Sequence, residues 1–377
     1  MRISCVIGPY LPVPPLRGGA VERIWQNLCV AFARKGHDVT LISRQFGELP
    51  REETRDGVRY LRVPSIDAPR SRLLYRLFDV VYAARVCAVL PASDVTITNS
   101  VSLPLIIPRG RAGKIYVSVA RFPKGQMRFY RRADRLQAVS RAVADAMLRQ
   151  SPIIAERVEV IPNALSATFT QLREPSRGSR RKEILYAGRI AREKGLDLLI
   201  RAFSKIRDHG DWRLTLLGPS AVAEGGDGAG FLAELETLGR RAGGRVTFEP
   251  AIFDEAALAS RLRAADIFVY PSVAEQGESF GMAPLEAMAC GCAVVVSSLA
   301  CFDDFAANGD NAFVFDHRSN GETALAQALE LLMKSPELRD ALGAAAIHTS
   351  QNFDADRVAD LFMADFVELA KDRGARS

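Results

Sequence analysis

The chain has no run of about 18 consecutive apolar residues, which argues against a membrane-spanning helix. Its opening, MRISCVIGPYLPVPP, lacks the long apolar core and small-residue cleavage site of a secretory signal. It reads instead as a β-strand and a loop. Cysteine is sparse: Cys5, Cys29, Cys87, Cys290, Cys292 and Cys301 form no C-x-x-C pair. That pattern argues against structural zinc and fits a cytoplasmic chain with reduced, mostly buried thiols. Cys290 and Cys292, one residue apart at an expected helix-to-strand turn, read as packing residues. No G-x-G-x-x-G follows the first strand, which argues against an NAD-dependent dehydrogenase. Histidine is scarce too, at His37, His209, His317 and His348. No short internal repeat and no recognised nucleic-acid-binding motif is found.

What is present fits a soluble globular chain. Its 377 residues are long for one domain, and 48% hydrophobic with 25% charged residues is enough for two cores. The net charge of +6 conceals an asymmetry. Residues 1–165 carry 26 Lys and Arg against 13 Asp and Glu, a net of +13, and the remainder carries 24 against 31, a net of −7. A basic half facing an anionic membrane or substrate is one reading, a solvated surface the other. Short β-branched runs alternate with amphipathic stretches throughout. RISCVIG, HDVTLISR, DVTITNS and KIYVSVA read as strands in the first half, with a helix over AVERIWQNLCVAFARKG and another from about Arg128. EILYAGR, RLTLLG, VTFEP, IFVYPS, CAVVVSS and AFVFD supply a second series. In its first helix Leu198, Leu199, Ala202, Phe203 and Ile206 share one face. QLREPSRGSRRK (171–182) reads as a linker, and AVAEGGDGAG (221–230) as a flexible loop. The expected architecture is α/β: two doubly wound, Rossmann-like units whose ligands bind at the carboxyl ends of the strands.

Three constellations follow strands. In EQGESFGMAPLEAMACG, Pro284 suits the first turn of a helix and Gly291 its end. Glu278 then lies in the loop and Glu286 in the first helical turn, both near a helix N-terminus able to hold a diphosphate. Gly281 allows close backbone approach. In LYAGRIAREKGLD, Arg189 and Lys194 flank a strand-to-helix turn as cations for the same diphosphate. In PPLRGGAVERIW, Gly18 and Gly19 precede the first helix, a weak second phosphate approach. Asp354-Ala355-Asp356 spells a D-x-D, but opening a final helix it reads as an N-cap and not a metal site. Pro69–Leu90 presents Leu73, Leu74, Leu77, Val80 and Val81 on one side. With basic Arg128–Arg135, read as part of a helix, it either seats the chain on an anionic bilayer or, as the default for such residues, packs into the core.

Together these segments resemble the family-four retaining glycosyltransferases of the GT-B fold. Glu278 to Glu286 matches that family's E-x(7)-E element, and AGRIAREKGLDLLIRAF its Arg–Lys segment. VEVIPNAL, RGGAVERIWQNLCVAFARKGHDVTLIS and ADRLQAVS match three further elements, so the likeness spans nearly the whole chain. The resemblance implies an acceptor-binding domain at 1–166, a linker region at 167–182, a nucleotide-sugar domain at 183–355 and a terminal helix, 356–377, returning to the first domain. It implies hexosyl transfer from a nucleotide-diphosphate sugar, UDP favoured over GDP, to a glycan, lipid-linked or small-molecule acceptor in polysaccharide, lipopolysaccharide or other glycoconjugate synthesis. No metal and no cofactor beyond the donor are implied, and no nucleic-acid partner. The expected location is cytoplasmic, with a seat on the inner membrane face as an option. Arg189 and Lys194 would clamp the diphosphate, Glu286 the ribose and Glu278 the transferred sugar. Gly18, Gly19, Gly188, Ser279, Phe280, Gly281 and Met282 would line phosphate and sugar, and Ile252 the nucleobase. Two departures stand out. Ser118 and Ala120 occupy positions where the family often has a histidine, leaving Arg121 or Asn99 for the acceptor, and Pro250 replaces a common glycine. The rival readings are a catalytically impaired nucleotide-sugar-binding protein, a nucleotide-sugar epimerase and a sugar phosphorylase of the same fold.

Overall fold

The computed structural model describes residues 1–17, 19–69, 71–170 and 181–371. Gly18, most of the expected linker (171–180) and the chain end after Lys371 lie outside the described residues. The chain forms two compact units: Met1–Ala164 joined by the segment from Ala355 onward, and Leu165–Asp354.

The first unit holds β1 (Arg2–Val6), β2 (Asp38–Arg44), β3 (Glu52–Arg55), β4 (Val58–Val63), β5 (Val95–Thr98), β6 (Lys114–Val119), β7 (Arg135–Ala138) and β8 (Val158–Val160). They form one sheet in the order β3-β4-β2-β1-β5-β6-β7-β8, parallel except for the β3/β4 hairpin. The central strands are apolar on both faces because helices cover both, as a parallel sheet requires. Those helices include α1 (Ala20–Arg34), α2 (Arg72–Val89), the short α3 (Leu103–Ile106) and α4 (Arg109–Ala112), and α5 (Arg141–Gln150). In α1, Ile24, Leu28, Ala31 and Phe32 recur at helical spacing and are buried.

The helix expected from about Arg128 is not there: a single 3-10 turn spans Met127–Phe129, and α5 starts only at Arg141, capped by Ser140. The cause is visible. Arg157 donates to the carbonyls of Arg131 and Ala133 at 3.0 and 2.9 Å, holding a turn that runs into β7 at Arg135 instead of a helix.

The second unit has β9 (Arg181–Ala187), β10 (Arg213–Leu217), β11 (Val246–Glu249), β12 (Ala265–Tyr270), β13 (Ala293–Ser297) and β14 (Phe313–Phe315). Their order is β11-β10-β9-β12-β13-β14, all parallel. Its helices are α6 (Ala167–Thr170), α7 (Leu196–Lys205), α8 (Gly228–Arg241), α9 (Glu255–Arg263), α10 (Met282–Ala289), α11 (Gly321–Lys334) and α12 (Pro336–Ser350). The last helix, α13 (Ala355–Lys371), belongs to the first unit and packs on α1. Trp25, Phe32 and Tyr116 meet Phe362 there, and Tyr116 donates to Asp365 at 2.7 Å. Arg135 pairs with the same carboxylate at 2.6 Å, both side chains nearly buried.

Ala221–Gly230 is not the flexible loop its composition suggests. It contains a 3-10 turn, Val222–Glu224, and its far end already lies in α8. Asp227 ties it down, donating its N–H to Ile190 and accepting from the Arg192 N–H at 2.6 Å.

Candidate functional site

In the second unit the strand order reverses between β9 and β12, the place where open parallel sheets leave a crevice at their carboxyl ends. The loop after β9 carries Arg189 and Lys194, and the loop after β12 carries Glu278. Sequence distance is closed by topology. Lys194 Nζ donates to Glu278 Oε2 at 2.6 Å across 84 residues, with both side chains largely buried. The ammonium also lies 5.2 Å from the centre of the Tyr270 ring, a cation–π arrangement. Tyr270 is the last residue of β12. Burial first, then the Glu278 carboxylate, hold its phenol well above its ordinary value, so it stays a proton donor.

Arg189 is half-exposed. It donates to the Gly225 carbonyl and to Glu193, each at 2.6 Å. Its backbone is set from beneath: Tyr186 Oη donates to the Arg189 carbonyl at 2.8 Å, and Tyr186 stacks on Tyr270 with ring centres 5.7 Å apart. Gly188 leaves room for this hydroxyl, since a Cβ there would approach it to 2.6 Å. Gly195 ends the 3-10 turn that carries Lys194, at φ 65 in the left-handed region, and a Cβ there would lie 2.2 Å from the Pro271 carbonyl oxygen.

The second wall is the start of α10. Gly281, at φ 91, is its N-cap and gives no side-chain cap, so the first amides face outward. A Cβ on Gly281 would meet the Phe302 ring at 2.4 Å. Because Gly281 starts the helix at Met282, Glu286 is the fifth helical residue. It therefore lies in the second turn and not the first, and only 5% of it is exposed. Phe280 is buried among Phe305 and Phe353, so its side chain anchors the loop. Ser279 and Met282 flank it on the same turn. Ile252 is half-buried in the loop after β11.

Several participants were not singled out from the sequence. Tyr186 and Tyr270 are written as ordinary strand residues. Glu193, the partner of Arg189, sits in a charged run that marks no single residue. Glu275 is held by Arg318 and by His317 Nε2 at 3.0 Å; burial pushes its carboxyl up, but these two partners hold it below the usual range.

The first unit has its own reversal, between β1 and β5. Asn99 after β5 accepts from the Gly8 N–H after β1 at 2.8 Å, which makes it a brace between the two strand ends. Ser118 donates to Gln137 at 2.7 Å inside the sheet, so it does not replace a ligand-facing histidine. Gly19, at φ 115, caps α1 and lies against Glu22: a Cβ there would be 2.3 Å from Oε2. Glu22 is buried, and desolvation raises its carboxyl above the ordinary value against the pull of Arg121. No helix among the described residues is long and apolar enough to cross a membrane.

Comparison with known proteins agrees with this geometry. Residues 17–169 match the family model "Glycosyltransferase Family 4", and residues 168–349 match "Glycosyl transferases group 1". A D-inositol 3-phosphate glycosyltransferase of Paenarthrobacter aurescens is 26% identical over 368 residues, 93% of this chain and 85% of that protein. Among solved structures, the sucrose-phosphate synthase of Thermosynechococcus elongatus superposes with a TM-score of 0.77 at 21% identity, covering 98% of this chain and 99% of that one. An Anabaena protein, Alr3699/HepE, solved with UDP and glucose, gives 0.72 at 17% identity, covering 98% and 100%. The two matched models adjoin and together run from residue 17 to residue 349, and the chain belongs to the family-four glycosyltransferases of the GT-B fold.

Proposed function

We propose that the protein transfers a hexose, with retention at the anomeric carbon, from a UDP-sugar to a hydroxyl of a glycan, lipid-linked or small-molecule acceptor. The observation that carries this reading is the buried Lys194–Glu278 pair at 2.6 Å, set beside the uncapped start of α10. A donor diphosphate entering there meets Lys194, Arg189 and the amides of Gly281 and Met282. A buried ammonium already paired with Glu278, and 3.9 Å from Glu193, can exchange part of that partnership for phosphate oxygens at little further cost in desolvation. Glu278, released from sole charge of Lys194, accepts hydrogen bonds from the sugar, Glu286 from the ribose, and Ile252 packs on the base.

In the reaction the bond from the anomeric carbon to the diphosphate oxygen breaks. The acceptor oxygen bonds to that carbon on the same face, and its proton passes to the departing diphosphate. Negative charge grows on the leaving group, so the cations and amides hold the transition state more tightly than the ground state. An anionic membrane surface is a further expected partner where the acceptor is lipid-linked, and polysaccharide or lipopolysaccharide synthesis is the expected setting.

A panel of UDP-, GDP- and ADP-sugars with candidate acceptors, read by nucleoside diphosphate release and by NMR of the anomeric proton, tests this. We expect release from one UDP-sugar and a product that keeps the donor's anomeric configuration; an inverted product would refute the retaining step. The internal bond of Ser118 favours one rival, a nucleotide-sugar-binding protein with impaired catalysis. Any acceptor-dependent release excludes it.

A further inference from the structure

Leu73, Leu77, Val80, Val81, Ala84 and Ala88 fall within one stripe of α2, and all are exposed, Leu73 by 77% and Leu77 by 52%. The opposite side, Asp79, Tyr82, Ala83 and Val86, faces the core. The default expectation that the apolar side packs inward therefore fails: α2 has two apolar sides, and the sheet takes only one. At 100° per residue, Arg76 and Arg85 fall on either edge of the outward stripe.

The surface continues beyond the helix. The Cys87 thiol lies 4.0 Å from the Ile106 carbonyl, and Leu105 and Ile106 are exposed beside it. Arg132 donates to the Leu105 carbonyl at 2.8 Å, and Arg109 to the Arg132 carbonyl at 2.7 Å. Phe129, 55% exposed, carries the Arg128 guanidinium 4.9 Å over its ring. Positions 70–135 contain 13 Arg and Lys against three acids. None of the acids offsets the basic rim: Asp79 is turned inward onto Ser100 and Ser102, Asp94 is engaged by Arg2, and Asp134 accepts from the Ile115 amide.

We propose that this face of the first unit docks on an anionic lipid bilayer. Leu73, Leu77, Val80 and Phe129 would enter the acyl boundary, and Arg76, Arg85, Arg128 and Arg131 would meet phosphate headgroups. An apolar strip of this kind on a soluble surface marks a partner site, and a one-signed basic rim selects an anionic one. Lipid is preferred over a protein groove because the stripe is convex, lies on one helix and is bordered by arginine on both edges. The proposal draws on the transferase reading only for the lipid-linked acceptor that such a bilayer would present.

The test is co-sedimentation of the full chain with vesicles of phosphatidylcholine alone and of phosphatidylcholine mixed with phosphatidylglycerol. Binding to the anionic vesicles only, weakened by added salt, is expected. Leu73→Glu/Leu77→Glu should weaken it at least about tenfold, and Arg76→Ser/Arg128→Ser/Arg131→Ser about a hundredfold. All these side chains point outward, so melting temperatures should match the parent, which keeps loss of binding distinct from loss of fold. Absence of binding, equal binding to neutral vesicles, or full binding by the Leu variant would overturn the proposal. A dimer in solution that Leu73→Glu/Leu77→Glu converts to monomer, without vesicle binding, would assign the face to a second copy of the chain instead. The assay uses neither donor nor acceptor, so its outcome is separate from that of the turnover panel.

Discussion

At the scale of single residues, the site is a set of cations whose geometry is fixed by neighbours that never need to touch a ligand. Tyr186 is one. Tyr186→Phe removes the hydroxyl that holds the Arg189 carbonyl and leaves that carbonyl unpaired. We expect a stability loss of about 1 kcal/mol and a raised donor KM with kcat less affected, read by steady-state kinetics. Gly195→Ala is harsher. Its Cβ would overlap the Pro271 carbonyl from a left-handed backbone, so we expect a loss of about 1–3 kcal/mol and near-complete loss of turnover, checked by denaturant melts and initial rates.

Glu22 supplies a pH prediction. Burial raises its folded pKa, so the folded state holds its proton longer than the unfolded state. Stability at this position is therefore full below the unfolded pKa, falls as pH rises towards the folded one, and stays reduced above it. Glu22→Gln should raise the melting temperature at pH 7, and the gain should vanish as pH falls below 4.5, the ordinary value.

The residues that sequence analysis singled out, Arg189, Lys194, Glu278 and Glu286, declare themselves by charge beside glycine and proline. Tyr186 and Tyr270 do not. A tyrosine closing a strand looks the same in sequence whether its hydroxyl braces a loop or merely reaches solvent. Glu286 falls one residue deeper in the helix than expected, just past the first turn, because helix onset depends on the backbone angle of Gly281, which the letter G permits but does not specify.

At the scale of elements, periodicity carries the strands and the core helices. RISCVIG, HDVTLISR and IFVYPS become buried parallel strands, because apolar residues on both faces demand helical cover on both. Periodicity fails in two informative places. Arg128–Arg135 has helical composition, yet Arg157, distant in sequence, takes its carbonyls. Helix α2 has an apolar stripe that the sheet does not cover, and no local pattern distinguishes a stripe meant for the core from one left outside. The β3/β4 hairpin was legible in principle, since Asp56-Gly57, both at positive φ, is the two-residue turn such hairpins prefer.

For α13 the expectation is firm. Phe362 is buried against Trp25, Phe32, Tyr116 and Phe366, so Phe362→Ala should cost about 3–5 kcal/mol. Asp365→Ala should cost a similar amount, about 3–5 kcal/mol, because it strands the Tyr116 hydroxyl in the interior and leaves Arg135 only the exposed Glu368, 3.4 Å away. Chemical denaturation of the full chain checks both.

At the scale of the whole molecule, two doubly wound sheets each reverse their strand order once, and the best-formed candidate site lies at the reversal in the second. The charge asymmetry also resolves spatially. Half of the 26 Lys and Arg in the basic half lie between positions 70 and 135, with Arg76 and Arg85 among them on the edges of the outward stripe of α2. A sum over the sequence could show that imbalance but could not place it. The central claim is that Lys194, with Arg189 and the start of α10, holds a nucleoside diphosphate. Calorimetric titration of UDP into the parent and into Lys194→Ala tests it most directly. Saturable one-to-one binding by the parent, weakened about 10- to 100-fold in the variant through loss of a charged hydrogen bond, is the predicted result. Equal affinity in the two proteins, or no nucleoside diphosphate bound by the parent, would contradict it.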